Sequence, residues 1–155
     1  MIGEWIVYVR HKRRKQMALK LTLKPGEKLY VGTGMIYCDA DAIYNLYVDG
    51  ALPIIREKDY LDQVHADTSS RQIYLAIQQA YLENNFDAYR ESYFRLTGMI
   101  IAELPGAMAH VAEINKAIGQ GKLYNALKAA RKLVQFEDGL LPEGQRSSHW
   151  QGFTA

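Results

Sequence analysis

The first half of the chain alternates apolar and polar side chains with a period of two, which is typical of half-buried strands. In the segment 19–23, three leucines alternate with Lys20 and Thr22. The same pattern, broken by turn signals such as Pro25-Gly26 and Asp49-Gly50, predicts further strands at residues 28–31, 35–38, 43–48 and 54–55. About five short strands in succession predict a small antiparallel sheet or barrel.

After Thr68-Ser69-Ser70 the apolar period changes to that of an amphipathic helix, and Ser or Thr supplies an N-cap. Breaks at Asn84-Asn85, Pro105-Gly106 and Gly119-Gln120-Gly121 divide the rest into about four helices with short connections, which makes neighbours antiparallel. The predicted fold class is α+β, a small antiparallel N-terminal sheet or barrel followed by a helical bundle. We assign residues 1–16 to an N-terminal extension and residues 17–62 to a β domain. Residues 63–138 form the predicted helical domain, and residues 139–155 a flexible tail.

The positive charge of the chain is concentrated at its start. The whole chain has 19 Lys and Arg against 17 Asp and Glu, and residues 1–16 contain five of these bases and one acid, so the remaining body is slightly acidic. Two readings of residues 1–16 stay open. In the first, Met17 is the natural start and the extension is a miscalled leader. In the second, the extension is an additional edge strand followed by a basic arm that touches RNA.

Several classes of protein are disfavoured. A single cysteine, Cys38, rules out a disulfide framework and a cysteine-based zinc site, and it favours a reducing cytoplasm. The apolar run at residues 5–9 is far shorter than the roughly 20 residues of a membrane-spanning helix, so we expect no membrane association. The four histidines lack the spacing of metal ligands, and we expect neither a cofactor nor catalytic residues.

Three segments in register are similar to the FlbT family of flagellin-synthesis regulators: residues 19–29, residues 55–59 with 71–74, and residues 121–134. The resemblance implies a cytoplasmic, post-transcriptional regulator that binds flagellin mRNA near its 5′ leader and controls its translation or stability. It also implies a small FlaF-like flagellar regulator, or flagellin itself, as a protein partner. Because the family contains repressors and activators, the sign of the regulation stays open.

The strand segment also resembles CsrA, a small RNA-binding translational regulator, at Leu21-Thr22, Gly26-Glu27, Val31-Gly32 and residues 55–60. Carried over, this resemblance implies RNA contacts for Arg56 and Lys24. The sequence departs from the CsrA pattern at Leu23, where a basic residue is usual. From the FlbT pattern it departs at residues 39–42, where a basic pair is replaced by Asp39-Ala40-Asp41-Ala42. CsrA pairs strands between two chains, and two alternatives stay open here: a strand-mediated homo-oligomer, or a strand edge that the chain's own helical half covers.

The cations of the strand segment are the predicted RNA-binding residues. If the first and last strands are adjacent, they form one patch around an exposed tyrosine that stacks on a base: Lys20, Lys24, Lys28, Tyr30, Arg56 and Lys58. The alternative is a solvated strand face, because exposed lysines also discourage edge pairing.

The last predicted helix supplies a second candidate surface. Lys128, Arg131 and Lys132 share one helical face, and together with Tyr124 they are the predicted partner-binding residues. A solvated polar face, or a second RNA surface, stays open for the same residues. The competing function is a protein-binding adaptor for flagellin or a FlaF-like partner, which affects mRNA only indirectly.

Overall fold

The computed structural model describes residues 18–38 and 41–143, and within these ranges strands precede helices as predicted. The strands are β1 (Leu19–Leu23), β2 (Lys28–Val31), β3 (Gly34–Tyr37), β4 (Tyr44–Val48) and β5 (Ile54–Arg56). The α-helices are α1 (Ser69–Glu83), α2 (Arg90–Glu103), α3 (Met108–Gly119) and α4 (Leu123–Leu140). The α+β class and the order of its two halves are therefore confirmed.

The five described strands form two small antiparallel sheets. β1 pairs with β4, and β2 lies between β3 and β5. In the β1–β4 ribbon, the pairs centred on Leu21 and Leu46 place only apolar side chains on one face, while Lys20 and Thr22 lie on the other. The alternation read from the sequence therefore gives this ribbon one apolar face.

The main core lies between the helices and one face of the β2-containing sheet. Ile73, Ile77, Ile100 and Ile114 are completely buried in it. Ile55 joins the same cluster from β5, so the last strand is packed against the helical bundle. Consequently, the sheet that contains β2 and β5 shares one hydrophobic core with the helices.

Local capping signals define the helix boundaries. The Thr68 side chain accepts a hydrogen bond from the Arg71 amide at the start of α1, as the sequence predicts. Asn84 ends that helix in the left-handed conformation, with φ of 50°. Gly121 also has a positive φ, of 69°, between α3 and α4, where glycine carries no Cβ penalty.

The end of α4 differs from the prediction. We expected the tail to begin at residue 139, but Gly139 and Leu140 still belong to the helix. The last turns are held against α1, because Glu137 accepts hydrogen bonds from the Ser70 amide and hydroxyl and Asp138 pairs with Arg71. The predicted extension 1–16 and the tail from residue 144 onward lie outside the described residues.

Candidate functional site

We use the name strand patch for the predicted RNA-binding residues, which are Lys20, Lys24, Lys28, Tyr30, Arg56 and Lys58. The four lysines are exposed, whereas Tyr30 and Arg56 are half-buried. Lys20 lies on the polar face of the ribbon, Lys24 in the β1–β2 turn and Lys58 in the short 3-10 turn Glu57–Asp59. The strand-patch residues thus lie near the beginning and near the end of the strand segment.

Arg56 connects the first and last strands. Its Nη2 donates a hydrogen bond of 2.6 Å to the Thr22 carbonyl of β1, and its Nη1 lies 3.6 Å from Oε1 of Glu27. The strands meet through this side chain, since in the backbone ladders β1 pairs with β4 and β5 with β2. Arg56 therefore links β5 to β1, and one of its two partners is the acidic residue Glu27.

Two carboxylates lie among the strand-patch cations. Glu27 accepts a hydrogen bond of 2.9 Å from the Lys24 amide, and Glu57 accepts one of 3.0 Å from the Lys28 amide. These bonds fix the backbone of the connection between β1 and β2 and of the start of β2. The two carboxylates also reduce the net positive charge near Arg56, which sequence order alone did not predict.

Tyr30 does not have the expected exposed ring. Its ring stacks on that of Tyr60, with centroids 3.6 Å apart and planes 5° from parallel, and it packs against the main core. The physical reason is the period of two, which places Tyr30 on the same face as its cross-strand neighbour Ile55, towards the helices. Burial, followed by the neighbouring Tyr60, raises the pKa of Tyr30.

A groove of about 430 Å³, which we call the apolar groove, lies between the strands and the helices. Its walls come from β1, from the segment around β5 and from α1 and α4: Leu19, Leu21, Leu52, Ile54, Ile55, Arg56, Asp59, Tyr81, Tyr124, Leu127 and Arg131. Tyr124 is 51% exposed at its rim, and its ring lies 5.6 Å from that of Tyr81. Arg56 thus belongs both to the strand patch and to this groove.

Arg131 is half-buried and lines the apolar groove, whereas Lys128 and Lys132, with which it shares a helical face in the sequence, are exposed and line another groove. Its Nη2 lies 2.8 Å from Oδ1 of Asp59, in the 3-10 turn after β5. It also bonds to the buried Tyr74, whose hydroxyl donates to the Asp59 carbonyl at 2.7 Å. Burial raises the pKa of Tyr74, and the Arg131 guanidinium opposes that shift. Arg131 is therefore tied to the junction of β5 with the helices.

A second groove, which we call the lysine cleft, separates α3 from α4 and encloses about 380 Å³. It is lined by His110, Glu113, Lys116, Ala117, Gln120, Asn125, Lys128, Ala129 and Lys132. Sequence reasoning included Lys128 and Lys132 but missed Lys116 and His110. The signal was present in the spacing of the polar residues 110, 113, 116 and 120, which places them along one side of α3.

Features of other site classes are lacking in the part of the chain that the structure describes. Within residues 18–38 and 41–143, no group of three or more His, Cys, Asp or Glu is arranged to hold a metal ion. Each helix in the same ranges is too short or too polar to span a bilayer.

Comparison with known proteins identifies the family. Residues 19–141 match the sequence profile described as Flagellar protein FlbT. The chain belongs to the FlbT family. This match covers both the strand patch and the two grooves, so all of these surfaces lie within the family region. No solved structure matches the chain.

Relatives agree with this assignment. A probable flagellum biosynthesis repressor protein FlbT 1 from Bradyrhizobium diazoefficiens is 38% identical over 125 residues, which cover 80% of this chain and 85% of the relative. A probable flagellum biosynthesis repressor protein FlbT from Rhodopseudomonas palustris strain TIE-1 is 34% identical, covering 81% and 98%. The flagellum biosynthesis repressor protein FlbT of Caulobacter vibrioides is 31% identical, covering 79% and 88%. These names describe repressors and not enzymes.

Proposed function

We propose that this protein regulates flagellum biosynthesis after transcription, in the cytoplasm, by binding the 5′ leader of flagellin mRNA and controlling its translation or stability. The names of its relatives support a regulator. The observation that supports the RNA part is the strand patch, in which Lys20, Lys24, Lys28 and Lys58 are exposed and Arg56 joins β5 to β1. The lysines would bind phosphates, and Arg56 would hold the two strand ends at a fixed separation.

The test measures fluorescence anisotropy of a labelled flagellin-gene 5′ leader with the full chain and with the double variant Lys24→Ala, Lys58→Ala. Both positions are exposed, so the substitutions remove charge without opening the core. For single-stranded RNA, each lost phosphate contact lowers the slope of log affinity against log salt by about 0.7, and the double variant should lose about 1.4. Arg95→Ala on α2 removes an exposed cation outside the patch and is the matched control.

Arg56 needs a separate design because it also joins two strands. Arg56→Lys keeps the charge but cannot make both the 2.6 Å bond to Thr22 and the contact with Glu27 in the same way. Thermal melting of each variant separates loss of the β1–β5 bridge from loss of RNA binding. Unchanged leader affinity in the Lys24, Lys58 double variant, with Arg95→Ala also unchanged, means that the strand patch is not the RNA site.

A second candidate function is a protein-binding adaptor for flagellin or a FlaF-like partner. The observation that favours it is a set of exposed large apolar side chains on β3 and around β4: Met35, Ile36, Tyr37, Ile43, Tyr44 and Tyr47. Exposed apolar patches are characteristic of protein interfaces. Binding through such a surface depends weakly on salt, whereas direct RNA binding weakens steeply as salt rises.

A further inference from the structure

The lysine cleft carries positive charge that nearby acids do not balance. Lys116 of α3 and Lys128 and Lys132 of α4 line it, with Glu113 as its acidic residue. Among the described residues, every ion pair to a carboxylate is made by arginine or histidine, and none by a lysine. A concave surface with an excess of one sign of charge, here three lysines against one glutamate, attracts counter-ions more strongly than a flat one. The cleft is therefore suited to an anionic ligand.

The lining of the cleft favours phosphates over a protein surface. Its apolar residues are Ala117 and Ala129, and neither is large enough to anchor a partner. Stable protein interfaces have a desolvated apolar centre, commonly built on aromatic residues. Amides and lysine ammonium groups, by contrast, are typical partners of a nucleic-acid backbone.

The lysine cleft is connected to the strand patch by a continuous set of residues. Lys128 lies in the cleft, and its Nζ is 5.1 Å from the centre of the Tyr124 ring. Tyr124 forms part of the apolar groove, and Arg56, a member of the strand patch, lines the same groove. A ligand that follows this path meets cations at both ends and aromatic and aliphatic side chains between them.

We propose that the lysine cleft binds the backbone of single-stranded RNA whose bases enter the apolar groove and stack on Tyr124. This inference rests on the proposed function, because it extends the RNA path from the strand patch to α3 and α4. The combination of a cationic groove with exposed aromatic rings is how proteins bind single strands. Paired bases cannot use Tyr124 in this way, because their faces are already stacked within the duplex.

The test uses anisotropy with two labelled probes, the flagellin-gene 5′ leader and a single-stranded oligouridine, across a salt series. The double variant Lys128→Ala, Lys132→Ala should weaken binding of both probes and reduce the salt slope by about 1.4. Restoring charge with Lys128→Arg, Lys132→Arg should recover the slope. Arg95→Ala is again the control, and circular dichroism checks the fold of each variant.

Tyr124 supplies an independent test of the groove. Tyr124→Ala should weaken oligouridine binding about fivefold or more, because one base loses its stacking partner. Tyr124→Phe keeps the ring and should bind as the parent does. A pre-formed RNA duplex should be insensitive to both substitutions.

The outcomes separate this inference from the proposed function. If the parent binds the leader and neither the lysine variant nor Tyr124→Ala changes affinity or salt slope, the cleft and groove are not contacted, and the inference is overturned while RNA binding stands. If the parent binds neither single-stranded probe, both proposals are wrong. If the lysine variant binds both probes as the parent does but no longer captures flagellin or a FlaF-like partner in a pull-down, the cleft is a protein site and the inference is also overturned.

Discussion

The side chain of Gln78 is fully buried in α1, and its amide faces the backbone of Leu61. The Leu61 amide donates to Oε1 of Gln78, and Nε2 of Gln78 donates to the Leu61 carbonyl, each at 2.8 Å. Both backbone groups are thereby satisfied in a place that water does not reach. One glutamine therefore fastens the chain between β5 and α1 to the helical core.

We expect Gln78→Leu to lower the free energy of unfolding by about 2–6 kcal/mol, because it leaves two buried backbone groups unpaired at about 1–3 kcal/mol each. The measurement is urea denaturation. Gln72→Leu on the exposed side of the same helix is the matched control and should change little. Equal stability of the two variants would contradict this account of the Gln78 contact.

Residue roles were predictable only where they depend on local sequence. The helix ends within Thr68-Ser69-Ser70 and Asn84-Asn85 were predicted because capping is decided within a few residues, and the structure shows Thr68 and Asn84 in these roles. Tyr30 and Arg131 were assigned to exposed faces, and both turn towards the interior. Their orientation depends on Tyr60 and Asp59, which the sequence could not place opposite them.

At the scale of elements, the junction of α1 and α4 is held by buried charge. Arg71 is only 2% exposed, and its Nη2 lies 2.9 Å from Oδ1 of Asp138. Burial raises the pKa of Asp138, and the Arg71 guanidinium offsets this effect only in part. The carboxyl group of Asp138 therefore holds its proton more tightly in the folded state than in the unfolded chain.

The raised pKa of Asp138 makes the free energy of unfolding depend on pH. The stabilisation from protonated Asp138 is fully present below the unfolded pKa, about 4, and is lost as pH rises through the raised folded value. We expect the unfolding free energy of the parent minus that of Asp138→Asn to fall as pH rises through this window. Urea denaturation over a pH series measures it, with Glu103→Gln on α2 as the exposed control. A difference that grows with pH would mean that Arg71 dominates.

Strand existence was predictable, whereas strand partners were not. The period of two located all five described strands within about a residue or two at each end, since alternation is a local property. The pairing of β1 with β4 and of β5 with β2 depends on contacts across the whole strand segment. The Arg56 bridge is a consequence of that pairing, so it could not be deduced from the sequence.

At the scale of the whole molecule, a slightly acidic body carries most of the exposed lysines in the described residues in two separate places. The strand patch lies on the strand half, and the lysine cleft lies between α3 and α4. The apolar groove contacts both, through Arg56 at one end and Tyr124 beside Lys128 at the other. This arrangement allows one RNA strand to contact both halves of a protein that has a single core.

The most direct test of the account is anisotropy of the full chain with a labelled flagellin-gene 5′ leader and with a scrambled leader, over a salt series. Direct recognition predicts tighter binding of the true leader and a log affinity that falls linearly with log salt, by about 0.7 per phosphate contact. Equal and salt-insensitive signals from both RNAs, or no binding of either, would contradict mRNA recognition. The protein would then act through its exposed apolar strands as an adaptor.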